Sequence, residues 1–115
     1  MVVPRSAIIF SRMGRRHRPH LPGACFHVTT RIQNREALLS PPLKTRLVAL
    51  LREQVAYSDV ELFAYVVMPN HLHLVLRQGD APLGRFLQPY LRRAALLVQR
   101  AHRRDGHVFE RRYRD

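Results

Sequence analysis

Two spacings of hydrophobic residues alternate along the chain. The segment Ala24–Ile32 alternates with a period of two and is rich in β-branched and aromatic residues, which predicts a strand. The segments Val60–Met68 and His71–Arg77 are also predicted strands, and the tight break at Pro69-Asn70 between them predicts an antiparallel hairpin.

Two other segments space their apolar residues along one face of a helix. Leucines at positions i, i+4, i+7 and i+8 from Leu43 predict a helix that ends near residues 57–59. A longer apolar stripe from Leu83 predicts a second helix, which residues 105–106 are expected to end. Pro89 lies inside this stripe and is expected to kink or restart the helix.

The order of these elements defines a fold class. With His107–Arg114 as a further strand, the order is strand, helix, strand, strand, helix, strand, the split βαβ ferredoxin-like order. We therefore predict an α+β fold with an antiparallel sheet of about four strands and two helices on one face. Residues 1–14 are interpreted as an N-terminal extension, with Met13 as an alternative start, and residues 15–115 as the core domain. An ordered strand over Ile8–Phe10 is the alternative for the first segment.

The distribution of charge points to a partner. The 115 residues carry a net charge of +12, from 20 basic and 8 acidic residues. Residues 1–22 contain five arginines and no acid, residues 23–82 six basic and five acidic residues, and residues 83–115 nine arginines and three acids. A general bias toward arginine would not spare the middle, so the basic ends indicate nucleic acid. The arginines expected to contact phosphates are Arg15, Arg16, Arg18, Arg92, Arg93, Arg100, Arg103, Arg104, Arg111 and Arg112.

Composition also excludes several classes of protein. Cys25 is the only cysteine, which excludes an internal disulfide and a zinc site built on several thiolates. No apolar run approaches the ~18 residues needed to cross a membrane. The run Ala7–Phe10 is too short for the core of a signal peptide. We therefore expect a soluble, cytoplasmic protein with no membrane partner.

His71 and His73 carry the candidate chemistry. They occupy positions i and i+2 of a predicted strand, so both point to the same face, about 7 Å apart at Cα. Two neutral imidazoles so placed can bind one metal ion and leave the rest of its coordination sphere open, as a catalytic metal requires. On its own, this spacing is more often ordinary polar strand surface. His27 points to the same side of its strand as Cys25 and is interpreted as strand surface, with a place beside the metal face as the alternative.

The residues around the histidines resemble a known signature. The run Met68–Val75 (MPNHLHLV), preceded by Tyr65–Val67 (YVV), resembles that of the REP-associated tyrosine transposases and related single-tyrosine insertion-sequence transposases. These belong to the His-hydrophobic-His superfamily of single-strand endonucleases. The resemblance covers about residues 15 to 115 and includes three further segments, Arg18–Arg31, Leu83–Arg104 and Gly106–Arg114.

The resemblance implies a ferredoxin-like fold and a mechanism. His71 and His73 would hold a divalent ion, Mg²⁺ or Mn²⁺, against a phosphate of single-stranded or hairpin DNA. A tyrosine would attack that phosphate, forming a 5′-phosphotyrosine and freeing a 3′-hydroxyl, and reversal with another strand end would rejoin the DNA. In the family this tyrosine lies on a further helix, so we expect the nucleophile beyond Asp115 and identify no catalytic tyrosine in the chain.

The tyrosines present are assigned other places. Tyr57 is interpreted as a helix-boundary residue, Tyr65 and Tyr90 as packing residues, and Tyr113 matches a family position outside the nucleophile helix. Two alternatives to a transposase remain open. One is a non-catalytic DNA-binding remnant or domesticated module with the same fold. The other is an RNA-binding domain, which would want exposed aromatic residues on adjacent central strands. The oligomeric state is open, with a homodimer as one alternative.

Overall fold

The structure is a computed structural model that describes residues 8–9 and 21–110. Two helices and three long strands confirm the predicted ferredoxin-like α+β fold. The elements are β1 (Ile8–Ile9), β2 (Cys25–Arg31), α1 (Pro41–Ala56), β3 (Glu61–Met68), β4 (His71–Arg77) and α2 (Gly84–His102), with a 3-10 turn at Gln33–Arg35. No helix in the described part of the chain is both long and apolar enough to span a membrane.

The sheet has the strand order β1-β2-β4-β3. Strand β4 lies between β2 and β3 and is antiparallel to both, as expected of the hairpin and of the split βαβ order. The hairpin break at Pro69-Asn70 also holds the connection between β2 and α1 in place. Pro69 O accepts a hydrogen bond from Leu39 N, and Asn70 O accepts one from Ile32 N.

The outer edge of β2 is shared between two short pairings. Ile8 and Ile9 pair in parallel with the first residues of β2, so at these two positions the structure has the alternative strand. The extension at residues 1–14 and the domain boundary stay predictions. At the other end of this edge, Phe109 forms an isolated antiparallel bridge with Ile32. This bridge is the described part of the strand predicted at His107–Arg114, whose last four residues lie outside the described residues.

The hydrophobic core lies between one face of the sheet and the two helices. Alternate residues of β2 and β4 face it, together with one stripe from each helix, which is the burial that the two sequence periods predict. The Tyr90 hydroxyl donates a hydrogen bond to Leu47 O at 3.1 Å, which joins α2 to α1. The central core residues are Phe26, Val28, Leu43, Leu47, Leu51, Leu72, Leu74, Leu76, Phe86, Leu87, Tyr90, Ala94 and Val98.

Helix α2 differs from its prediction at two points. It is continuous through Pro89, so the expected restart does not occur. Pro89 removes only the hydrogen bond that its own amide would make, while buried side chains on either side, Phe86 and Tyr90, hold the helix against the core. The helix also ends before Asp105-Gly106. Arg103 takes the left-handed conformation (φ 49°), and Arg104 N donates to Gln99 O, closing the helix by a turn usual at C-termini.

Strand β3 contains a bulge at Phe63. Leu62 lies opposite Leu76, but Ala64 rather than Phe63 lies opposite Val75, so one extra residue is inserted in β3. Because of this extra residue, the side chains from Ala64 to Met68 lie on the opposite side of the sheet from the one that regular pairing from Leu62 would give them. Arg77 lies over the Phe63 ring, 5.1 Å from its centroid, and pairs with Glu61 at 3.3 Å.

Candidate functional site

The two histidines lie on the sheet face that points away from the helices. Along β4 the leucines are buried in the core, whereas His71, His73 and Val75 are only partly buried on the opposite face. We call these three residues the histidine column, and this side of the sheet the histidine face. The alternation of the sequence places both imidazoles on one surface, as predicted, and the neighbouring strands determine what surrounds them.

The strand register gives the histidine column two unlike flanks. On the β2 side, Arg31 lies opposite His71, Thr29 opposite His73 and His27 opposite Val75. On the β3 side, Met68, Val66 and Ala64 take the same three positions in the same order. Side chains directly opposite each other on neighbouring antiparallel strands are about 5 Å apart at Cβ. We call the first set the polar flank and the second the apolar flank. The apolar flank is solvent-exposed, with Val66 at 51% and Met68 at 40%.

Asn70 orients the ring of His71. Its Oδ1 atom lies 2.7 Å from His71 Nδ1, and because Oδ1 is an acceptor, this contact places the proton on Nδ1. The Asn70 amide nitrogen in turn donates to Arg35 O at 3.3 Å, in the turn that follows β2. The lone pair of His71 is therefore directed to Nε2, the nitrogen that a metal ion would use.

His73 is held from the polar flank. Its Nδ1 atom lies 2.9 Å from His27 Nε2 and 3.1 Å from Thr29 Oγ1. Burial lowers the pKa of His73 from its ordinary value, and the charges of His27, His71 and Arg31 lower it further. Both effects favour the neutral imidazole, which is the form that binds metal. For His27 the structure has the alternative place, because its ring is a direct neighbour of His73.

The donor set fits a metal ion held by two protein ligands. The rings of His71 and His73 are 4.9 Å apart at their centroids, and each has its Nδ1 engaged by a neighbour. In the described residues no group of three His, Cys, Asp or Glu side chains forms a metal-binding cluster. A two-ligand site of this kind leaves most coordination positions to water or to a phosphate.

Three of the predicted DNA-binding arginines, Arg92, Arg93 and Arg100, occupy a different side of the molecule. Four arginines of α2 are exposed, and in the described chain none of them forms a salt bridge. Because the opposite stripe of α2 packs against the core, these side chains point away from the histidine face. We call this surface the arginine face. It consists of Arg85, Arg92, Arg93 and Arg100, of which Arg85 was not among the predicted residues.

The other predicted arginines fall into two groups. Arg103 is exposed just beyond α2, whereas Arg104 already makes two hydrogen bonds to the Glu36 carboxylate, at 2.8 and 3.2 Å. The bond from Arg104 holds the pKa of Glu36 below its ordinary value. The remaining five lie outside the described residues, namely Arg15, Arg16, Arg18, Arg111 and Arg112.

The described tyrosines do not lie beside the histidines. Tyr90 is buried in the core, and this burial raises its pKa. Tyr65 lies opposite Leu74, so it belongs to the helix side of the sheet, where its hydroxyl accepts a hydrogen bond from Arg52 at 3.4 Å. It is 36% exposed rather than packed inside. Tyr57 follows α1 and is 85% exposed, and Tyr113 lies outside the described residues.

Sequence reasoning missed three residues of this site, Thr29, Arg31 and Asn70, and gave a place in the site for His27 only as an alternative. The alternation of β2 does place His27, Thr29 and Arg31 on one face. What alternation cannot show is that this face lies beside the histidines, because that depends on which strands pair and in which register.

The fold and this face together define a class, a ferredoxin-like domain with a histidine pair on its open sheet surface. A family model described as "Transposase IS200 like" matches residues 21–114, and the chain belongs to that family. A comparison with curated proteins gives no match.

Two solved structures share the fold. One is a REP-associated tyrosine transposase bound to a REP hairpin, with a TM-score of 0.64 and 19% identity over 88% of this chain. This chain spans 59% of the length of that protein. The other is a predicted transposase of Deinococcus radiodurans R1, with a TM-score of 0.67 and 20% identity, covering 86% of this chain and 82% of that one.

Proposed function

We propose that the protein binds single-stranded or hairpin DNA and presents one of its phosphates to the histidine column. The observation that carries this proposal is the pair of oriented imidazoles, His71 and His73, on an open sheet face within a chain of the transposase family. A similar fold bound to a REP hairpin supports the choice of DNA hairpins. The exposed arginines of α2 support binding to the phosphate backbone.

Within this proposal, His71 and His73 would hold a magnesium or manganese ion through Nε2. Such an ion draws charge from a phosphate oxygen and so makes phosphorus easier to attack. The protein's own contribution is to aim both rings: Asn70 holds that of His71, and His27 with Thr29 holds that of His73. Cleavage and rejoining through a phosphotyrosine would require a tyrosine hydroxyl in line with the leaving oxygen.

A second candidate is a module that binds DNA without cutting it. The observation in its favour is the position of the described tyrosines, since Tyr57, Tyr65 and Tyr90 all lie away from the histidine column. The RNA-binding alternative lacks comparable support. Phe26 is buried in the core rather than exposed on the sheet, and an RNA platform of that kind needs exposed aromatic rings.

The experiment incubates the whole chain with a labelled DNA hairpin and manganese. We expect binding that weakens steeply with salt and prefers hairpin or single-stranded DNA to a blunt duplex of the same length. We expect no covalent adduct on a denaturing gel. Failure to bind any of these DNAs at low salt would overturn the proposal. An adduct that disappears on Tyr113→Phe would instead identify a nucleophile within this chain and exclude the non-cutting module.

A further inference from the structure

We infer that the two flanks of the histidine column bind different parts of one nucleotide, with phosphate on the Arg31 side and a nucleobase on the Val66 and Met68 side. This inference rests on the proposed function, because it concerns how a DNA strand lies on the same face. It assigns a direction across the sheet: the sugar–phosphate chain runs over β2, and the bases lie over β3.

The polar flank suits a phosphate. Arg31 lies directly opposite His71, and its charge acts on the neighbouring His73. Within the described residues its guanidinium forms no salt bridge, so its donors are available to a ligand. A planar guanidinium can donate two parallel hydrogen bonds to phosphate oxygens. A phosphate beside the histidine column would therefore have a cation next to it on the β2 side.

The apolar flank suits a flat, uncharged group. Val66 and Met68 are apolar side chains on the open face of the sheet, where they are 51% and 40% exposed. With Ala64 they form a row without charge, one strand away from the histidines. A thioether and branched alkyl groups offer polarisable, non-directional contact to a base of any sequence. Val66 and Met68 lie directly beside the histidine column on the neighbouring strand. A nucleotide whose phosphate is bound at the histidine column could therefore place its base on them.

The experiment separates these two contributions with two kinds of DNA. A labelled single-stranded oligonucleotide is compared with the same strand made abasic at every position, and affinity is measured over a range of salt concentrations. The wild-type chain should prefer the strand that carries bases. Val66→Ser with Met68→Ser should lower affinity for that strand roughly fivefold, leave the abasic strand unaffected and leave the salt slope unchanged. Tyr57→Ser, which removes a still more exposed apolar side chain just after α1, is the control.

The polar flank is tested on the same two strands. Arg31→Gln should lower the slope of log affinity against log salt by about 0.7, the value for one lost contact to a single strand, and should keep the preference for bases. Arg31→Lys should restore the slope. Arg46→Gln removes the same charge from the helix side and should change neither quantity. Thermal unfolding of each variant checks that the fold is retained.

Three results would overturn the inference. The first is an unchanged preference for bases in the Val66 and Met68 double variant. The second is an unchanged salt slope in Arg31→Gln. If wild-type binding in the presence of manganese still depends on His71 and His73 in either case, the proposed function stands and only the division of the flanks fails. The third is a wild-type dimer in size-exclusion chromatography that the double variant converts to monomer, which would assign the apolar flank to a second copy of the chain.

Discussion

The two sides of the sheet hold their polar groups in different ways. On the histidine face, the rings of His71 and His73 are each fixed by a neighbour at under 3 Å and are partly withdrawn from water. On the arginine face, long side chains stand in solvent without partners among the described residues. Groups held in a fixed position can act on a single atom of a ligand, whereas exposed cations can bind the regularly spaced phosphates of a nucleic-acid backbone. Under the proposed function, the metal would be bound on one surface and most of the general affinity for DNA would come from the other.

The largest expected effect tests the histidine face alone. His71→Ala combined with His73→Ala should abolish manganese binding, because it removes both ring ligands. DNA affinity without metal should change little. The measurement is a manganese titration followed by the broadening of histidine resonances. His107→Ala, an exposed histidine outside the sheet, is the control. Broadening confined to other histidines in the wild-type chain would contradict the assignment of the metal site.

The second effect tests the arginine face alone. Arg92→Gln combined with Arg93→Gln should lower the salt slope of DNA binding by about 0.7 to 0.9 for each lost phosphate contact, while manganese binding persists. Lys44→Gln with Arg46→Gln removes the same charge from α1. Equal effects of the two double variants would show that net charge determines affinity. The arginine face would then have no specific role in DNA binding.

The third effect concerns the core that separates the two sides. Tyr90→Phe should lower the free energy of unfolding by about 1 kcal/mol, because it removes the buried hydrogen bond to Leu47 O that joins α2 to α1. Denaturant unfolding measures the loss. Tyr57→Phe should leave stability unchanged, since that ring is exposed. A DNA adduct that depends on the Tyr90 hydroxyl would refute the structural role given to it here.

The smallest effect concerns Arg104. Because its guanidinium is already bonded to Glu36, Arg104→Gln should weaken DNA binding less than Arg92→Gln does. The ion pair between Arg104 and Glu36 should also make the stability of the fold depend on pH. Glu36 has a lowered pKa in the folded chain, so its contribution to stability is present above the ordinary glutamate pKa of 4.5 and is lost as pH falls through the lower folded value. Unfolding of Glu36→Gln at pH 7 and below pH 4 should show a gap from wild type that narrows in acid.

Sequence periodicity predicted the elements well because helices and strands here bury continuous stripes. The leucines of α1 and the alternation of β4 give their faces directly. The same reasoning could not predict the bulge at Phe63, since β3 is apolar throughout its middle and shows no alternation to break. It also placed the end of α2 too late, because a left-handed Arg103 carries none of the usual glycine signal.

The candidate site was predicted only in part for a related reason. The spacing of His71 and His73 shows that they share a face, but their partners come from another strand. His27 is 46 residues away from His73 in the chain and touches it only through the β2–β4 register. Contacts at such separation are invisible to local patterns, which explains why a place beside the metal face was only an alternative for His27.

The bulge at Phe63 also bears on how the length of this strand can vary. Because the extra residue is already inserted there, deleting Phe63 would let Leu62 and Ala64 pair regularly and would leave every other side chain on its present side. Deleting Val66 instead would reverse the side of the sheet on which the residues before or after it lie. Either Tyr65 or Met68 would then move to the opposite face. Homologues should therefore tolerate loss of the residue at position 63 far better than loss of one at position 65 or 66.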